Sequence, residues 1–140
     1  MGHYAEINFI APLNDFGDEI VAKITKTRDW DELASYYREY YFLNQFAQYP
    51  THILNSEHIN PKFDGSGWIY DPEKKVWEIA IYFKDHGEQR KLLEGLKEFL
   101  PYIILSDEID LIYAHECGDW KKYVTKIERK ELPNPDWNLW

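Results

Sequence analysis

The triplet His115-Glu116-Cys117 is the one place in the sequence where an imidazole and a thiol lie close together. Such a pair forms a cysteine nucleophile when the imidazole removes the thiol proton. On a β-strand, His115 and Cys117 would share a face with α-carbons roughly 6.5–7 Å apart, and Glu116 would point to the other face. A nucleophile also needs an orienting group and positive surroundings, and the sequence shows neither. We therefore favour a buried, unreactive cysteine beside a hairpin turn.

Two histidines and a carboxylate in a predicted loop over residues 49–62 could ligate zinc or iron: His52, Glu57 and His58. Their spacing within a loop fits the ligand geometry of neither a helix nor a strand. No HExxH motif and no pair of cysteines completes such a site. We expect solvent-exposed histidines here, and the sequence predicts no metal and no cofactor.

Two groups of carboxylates stand out in the sequence: Asp29, Asp31 and Glu32, and Asp107, Glu108 and Asp110. General acid–base catalysis needs two carboxylates in unlike environments within a cleft. The first group lies at the predicted start of a helix, where the helix dipole favours negative charge. With 25 acidic residues among 140, chance clusters are expected. The carboxylates therefore do not by themselves indicate catalysis.

The composition describes a globular, acidic and aromatic-rich chain. Of its residues, 44% are hydrophobic and 17% aromatic, and the formal net charge is −9. That charge argues against a general nucleic-acid binder, which must present positive charge to phosphates, and against an anionic membrane surface as partner. The single cysteine excludes an internal disulfide framework. The sequence has no apolar run long enough to span a membrane and no signal segment at its start, so we expect a cytoplasmic protein.

Alternating side chains predict two of the strands that must position these residues. Residues 4–12 alternate, with apolar side chains at odd positions, and Pro12 ends the pattern. Residues 66–84 are predicted to form a hairpin, because Asp71-Pro72 suits the first two positions of a type I turn. Alternation is clearest in the second strand of this hairpin, from Trp77 to Lys84.

Helical periodicity and turn residues predict the remaining short elements. Asn14 or Asp15 is expected to cap a short helix, with a strand over residues 20–25 as the alternative, because Ile, Val and Thr also favour strands. Residues 88–100 are predicted to form an amphipathic helix. A final hairpin follows, with a strand over 109–115, a turn, and a return strand over 120–129.

A longer helix is predicted from Asp29 to about Ala47. One stripe at helical spacing is expected to face the core: Trp30, Leu33, Tyr37 and Tyr41. A second stripe lies on the far side: Tyr36, Tyr40, Leu43 and Ala47, with Phe46 beside it. The second stripe must meet either another layer or a partner. We favour a partner, because one domain of this length rarely buries a helix all round.

The order of these elements predicts an α+β fold. Two or three helices would pack on one face of a mostly antiparallel sheet of about five strands, in a split β-α-β, ferredoxin-like layout. Residues 1–131 are expected to form the single domain, and residues 132–140 an irregular tail that contains proline and tryptophan.

Acidic charge combined with abundant Tyr and Trp favours binding over catalysis. Such a protein could neutralise or inhibit a partner by imitating nucleic-acid charge at a basic cleft, as immunity proteins or phage anti-defence proteins would. The expected contact residues are Tyr36, Tyr40, Leu43, Phe46, Asp107, Glu108 and Asp110. The alternatives are a small-ligand-binding protein or small hydrolase with a pocket between helix and sheet near Tyr113 and His115, and a homo-oligomeric structural protein.

Overall fold

A computed structural model describes residues 3–56 and 67–135, and within them five strands form one antiparallel sheet in the order β2-β3-β1-β4-β5. The strands are β1 (His3–Pro12), β2 (Gly67–Asp71), β3 (Val76–Asp85), β4 (Glu108–His115) and β5 (Tyr123–Glu128). The helices are α1 (Asp15–Thr27), α2 (Trp30–Tyr36), α3 (Tyr41–Ala47) and α4 (Gln89–Phe99). Three short 3-10 turns complete the described elements: Thr51–Asn55, Leu100–Tyr102 and Glu116–Gly118. The predicted α+β class and layout are confirmed.

The helices cover one face of the sheet, which we call the core face. The odd-numbered residues of β1 from Ala5 to Ala11 are buried there, as the alternation predicts. Trp77 on β3 lies at the centre, within ring contact of Phe9 and Trp30. Aromatic side chains from helices α2, α3 and α4 and from strands β1, β2 and β3 fill the space between the layers.

Helix α1 begins at the predicted cap and is fastened at that end. The Asn14 side chain accepts a hydrogen bond from the Gly17 N–H at 2.6 Å and donates one to the Tyr102 carbonyl at 3.0 Å. A Cβ on Gly17 would lie 2.3 Å from the Ile103 carbonyl oxygen, so only glycine permits this close approach. The start of α1 is thereby held against the turn that follows α4.

The single helix predicted over 29–47 is wrong, because the chain forms two helices with a break between Tyr36 and Tyr41. The buried Tyr37 hydroxyl at the break donates to Glu19 at 2.6 Å and accepts from Lys23 at 2.7 Å, both on α1. Burial and the Glu19 hydrogen bond raise the pKa of Tyr37 to about 12. The break lets two residues of the second stripe, Leu43 and Phe46, turn into the core. Tyr41, which the prediction places in the core, is exposed instead.

Helix α4 begins at a cap on the preceding strand. One oxygen of Asp85 accepts hydrogen bonds from the backbone N–H groups of Gly87, Glu88 and Gln89, and its other oxygen lies 2.9 Å from Nε2 of His115. Burial acts to raise the pKa of Asp85, but the backbone donors and His115 together hold it below its ordinary value. The cap therefore ties α4 to the ends of both β3 and β4.

The return strand of the last hairpin is shorter than predicted. It begins at Tyr123, because Asp119 and Trp120 both adopt left-handed backbone conformations with φ near +55°. Beyond β5, Lys130 donates a backbone hydrogen bond to Pro101, and Leu132 packs on the core. Residues 132–135 have no regular secondary structure, and the rest of the predicted tail lies outside the described residues.

Candidate functional site

His115 and Cys117 do not form a nucleophilic pair in the structure. Nδ1 of His115 accepts the Cys117 backbone N–H at 3.1 Å, and Nε2 faces Asp85. These two contacts occupy both ring nitrogens and leave neither for the thiol. The cysteine is exposed, so the predicted buried position is wrong. The chain turns out of the strand at Glu116, which removes Cys117 from the sheet.

The predicted metal ligands are not brought together by the described residues. The exposed His52 lies 3.7 Å from Glu88, whereas Glu57 and His58 lie outside the described residues. Within 3–56 and 67–135, no three His, Cys, Asp or Glu side chains converge as metal ligands would. Asp29 of the first carboxylate group caps α2 by accepting the Glu32 N–H at 3.0 Å, as its position at a helix start predicts.

The aromatic stripe predicted to meet a partner is divided by the break in the helix. Tyr36 is 66% exposed, with the Lys23 ammonium 4.1 Å from its ring centre. Tyr40 is half-buried against Phe16. Leu43 and Phe46 are buried, and the Phe46 ring stacks on Phe99 at 4.3 Å. Leu43 and Phe46 are therefore covered by other parts of this protein and not by a partner.

The second carboxylate group is partly neutralised by strand β5. Lys126 lies 2.5 Å from Asp110 and 3.8 Å from Glu108, and Arg129 lies 3.1 Å from Asp107. The stretch from 103 to 119 has no Lys or Arg, so it reads as purely acidic along the chain. Antiparallel pairing places the cations of the next strand opposite these acids.

The side of the sheet away from the helices, which we call the open face, carries large apolar residues. Ile10 on β1, Ile69 on β2 and Val124 on β5 are 58%, 43% and 54% exposed. Their alternation with core residues places all three on the open face. A covering layer is absent from this face among the described residues. Branched apolar side chains in such a position are typical of a contact surface.

A groove of about 900 Å³ runs along the open face where strands β1 and β4 separate. Strand β1 pairs with β4 only over residues 5–8, and contact resumes where the Leu105 N–H donates to the Pro12 carbonyl. Since backbone polar groups alternate in direction along a strand, those of Ile10 point into the gap between these contacts. Both sides of the groove contribute polar and charged side chains: Glu6, Asn8, Glu78, Ser106, Glu108, Asp110, Lys122 and Lys126.

Glu6 is the most unusual residue of the groove. It is 5% exposed although it lies on the open face, and no hydrogen bond from a described residue reaches its carboxylate. Burial raises the pKa of Glu6, and the charge of Lys122 opposes that effect only in part. A buried carboxylate without hydrogen bonds is costly, so its presence needs an explanation.

A stack of three rings closes one end of the groove beside Glu6. Tyr82, the cross-strand neighbour of Glu6, stacks on Tyr4 with ring centres 4.8 Å apart and on Trp120 at 5.8 Å. Trp120 reaches this position through its left-handed backbone, with φ of 59°, which is rare for a bulky residue. The β4–β5 connection thereby folds back over the open face.

Sequence reasoning missed the open face, although a signal for it was present. The alternation in β1 and β3 assigns Glu6 and Tyr82 to the side away from the core, where a simple sheet would carry only solvated polar residues. Apolar residues at those outward positions, such as Ile10, are the feature that indicates a second surface. The gap between β1 and β4 depends on pairing that the sequence does not specify.

Comparison with protein-family models, curated proteins and solved structures found no match to this chain. None of the helices in residues 3–56 and 67–135 combines the length and apolarity needed to cross a membrane.

Proposed function

We propose that this chain is a non-enzymatic, acidic binding protein that inhibits or neutralises a partner protein with a basic surface, and that the open face is its contact surface. The observation that carries the proposal is the coexistence on this face of exposed apolar residues and a carboxylate-lined groove. Protein interfaces combine such an apolar centre with polar groups that select the partner.

The charge of the chain supports a basic partner. The formal net charge of −9 favours association with positive surfaces and disfavours anionic ones. Glu108 and Asp110, two of the residues predicted for the contact, lie at the groove. This negative charge would imitate nucleic-acid phosphates, and the matching partner surface is a basic cleft of the kind that holds them.

A second candidate is a small-ligand-binding protein. The groove volume of about 900 Å³ falls within the range of small-molecule sites. This candidate places the ligand on the open face and not between helix and sheet, because His115 is paired with Asp85 and Cys117. It predicts binding to the isolated chain without any protein partner.

The test compares capture of cellular proteins by the immobilised chain and by two double variants, followed by mass spectrometry. Ile69→Lys with Val124→Lys alters the open face, and Tyr36→Lys with Tyr41→Lys makes the same change in charge at exposed positions of the helical layer. Thermal melts establish that each variant is folded.

We expect proteins with basic surfaces to be retained by the unaltered chain and by the helical-layer variant, and lost by the open-face variant. Retention should weaken as salt is raised, because screening shortens the reach of charge. Equal retention by the open-face variant, loss only in the helical-layer variant, or capture of nothing except a second copy of the chain would each overturn the proposal.

A further inference from the structure

We infer that the groove receives an arginine side chain of the basic partner, with Glu6 as its principal anchor. This inference rests on the proposed function and names the chemistry of the contact. It is carried by three independent features of the groove: its unpaired carboxylate, its additional hydrogen-bond acceptors and its residual charge.

The Glu6 residue is only 5% exposed, and its carboxylate has no hydrogen-bond partner among the described residues. Its cross-strand neighbour is Tyr82, the middle ring of the stack, and Glu6 lines the groove. Lys122 contributes charge but no hydrogen bond to it. A cationic hydrogen-bond donor that enters the groove would supply both a positive charge and a hydrogen bond to this carboxylate. Such charge-assisted hydrogen bonds are among the strongest in proteins.

Other hydrogen-bonding groups of the groove also have no hydrogen-bond partner among residues 3–56 and 67–135. The Ser106 hydroxyl is buried, and no described residue forms a hydrogen bond with it. The backbone carbonyl of Ile10 faces the gap between β1 and β4, and the Asn8 amide lies on the same wall. A ligand with several donors in different directions would satisfy these groups together with Glu6. A guanidinium has five N–H donors in a fixed plane, whereas an ammonium has three at one point.

The charge of the groove also favours a cation. Four carboxylates and two ammonium groups line it. Lys126 is engaged by Asp110 and Glu108, whereas no ion pair with a described residue forms at Glu6 or Glu78. With four carboxylates and two ammonium groups, the groove as a whole keeps a formal excess of negative charge.

The experiment titrates the isotope-labelled chain with the peptide acetyl-Ala-Arg-Ala-amide and follows backbone amide signals by NMR. Matched peptides carry citrulline, which has the shape of arginine without its charge, or lysine. Glu6→Gln removes the anchor, and Glu32→Gln makes the same change at an exposed position on α2. Ser106→Ala removes one acceptor and leaves Glu6 in place.

We expect saturable shifts at Asn8, Ile10, Ser106 and Asp110 with the arginine peptide and none with citrulline. Glu6→Gln should weaken the arginine affinity at least tenfold, Ser106→Ala about threefold, and Glu32→Gln not measurably. Equal binding of citrulline, equal or tighter binding of lysine, or undiminished affinity in Glu6→Gln would each overturn the inference.

Capture of cellular proteins by the immobilised Glu6→Gln variant separates this inference from the proposed function. If the basic partner is still retained by Glu6→Gln but lost by the open-face variant, the contact surface stands and the arginine anchor falls. If the arginine peptide binds at the groove and no basic protein is captured, the proposed function falls and the groove is a site for small guanidinium compounds.

Discussion

The two faces of the sheet differ in composition and in burial. On the core face, every second residue of β1 and β3 is apolar and buried beneath helices. On the open face, apolar, acidic and aromatic residues are mixed, and the buried Glu6 has no hydrogen-bond partner within the described part of the chain. The core face is built for stability, whereas the open face keeps arrangements that stability alone would remove.

Truncation in the core should have the largest effect. Phe46→Ala removes a buried ring that stacks on Phe99, so it should lower the free energy of unfolding by about 3–5 kcal/mol. Tyr36→Ala, in the exposed half of the same predicted stripe, should cost less than about 1 kcal/mol. Urea denaturation measures both. Similar losses for the two variants would contradict the division of the stripe.

Loss of the α4 cap should have the next largest effect. Asp85→Ala leaves three backbone N–H groups and His115 without their acceptor, so it should cost about 2 kcal/mol at pH 7. Because the folded pKa of Asp85 lies below its ordinary value of 3.8, its contribution is present above that pH and is lost as pH falls through the lowered pKa.

Denaturation at neutral and at strongly acidic pH should therefore show the Asp85→Ala deficit shrinking in acid. Asp71→Ala is the matched control, since Asp71 accepts two backbone N–H groups in an exposed turn and should contribute less. A deficit that is constant down to the lowest pH would contradict the assignment of the cap to the ionised carboxylate.

Glu6→Gln should stabilise the protein, which is the opposite of the effect expected for truncation of a core residue. Removal of a buried charge should add on the order of 1 kcal/mol at pH 7. The folded pKa of Glu6 is raised, so its ionisation costs stability only as pH rises above the unfolded pKa, and the difference should vanish in acid. Urea denaturation from acidic to neutral pH measures this difference in the free energy of unfolding, with Glu32→Gln as the control. A destabilised Glu6→Gln at pH 7 would show that the carboxylate belongs to the fold.

The smallest expected effect concerns the connection that carries Trp120 over the open face. Asp119→Gly should add about 0.5 kcal/mol, because glycine adopts a left-handed conformation without steric cost. Glu131→Gly, at an exposed residue without positive φ, should be neutral or slightly destabilising. Thermal melts compare the two. A loss of stability in Asp119→Gly would show that its side chain contributes more than its backbone costs.

The sequence predicts local features well and long-range ones poorly. Alternation identifies β1 and β3, and the Asn14 cap follows from side-chain chemistry next to the helix. The break after α2 depends on the Tyr37 hydroxyl meeting α1, which no local pattern reveals. A buried stripe and a contact stripe have the same periodicity, so Phe46 could not be told from an interface residue.

The candidate site shows the same limit. Glu6 alternates like any solvated residue, and only the fold shows that it is 5% exposed and lies opposite Tyr82, the middle of three stacked rings. Lys126 neutralises Asp110 across a strand pair whose register the sequence does not state. The net charge predicted an acidic protein, but which acids remain unpaired is a property of the assembled sheet.

The short pairing of β1 with β4 has a consequence for local unfolding. Strands β2, β3 and β1 form a continuous ladder, whereas the β4–β5 hairpin joins it over residues 5–8 and at the Leu13–Ile104 bridge. Fewer backbone hydrogen bonds must break to detach the hairpin than to separate β1 from β3. Hydrogen exchange should therefore divide the sheet into two cooperative units, with the Ile10 amide among the first to exchange along β1.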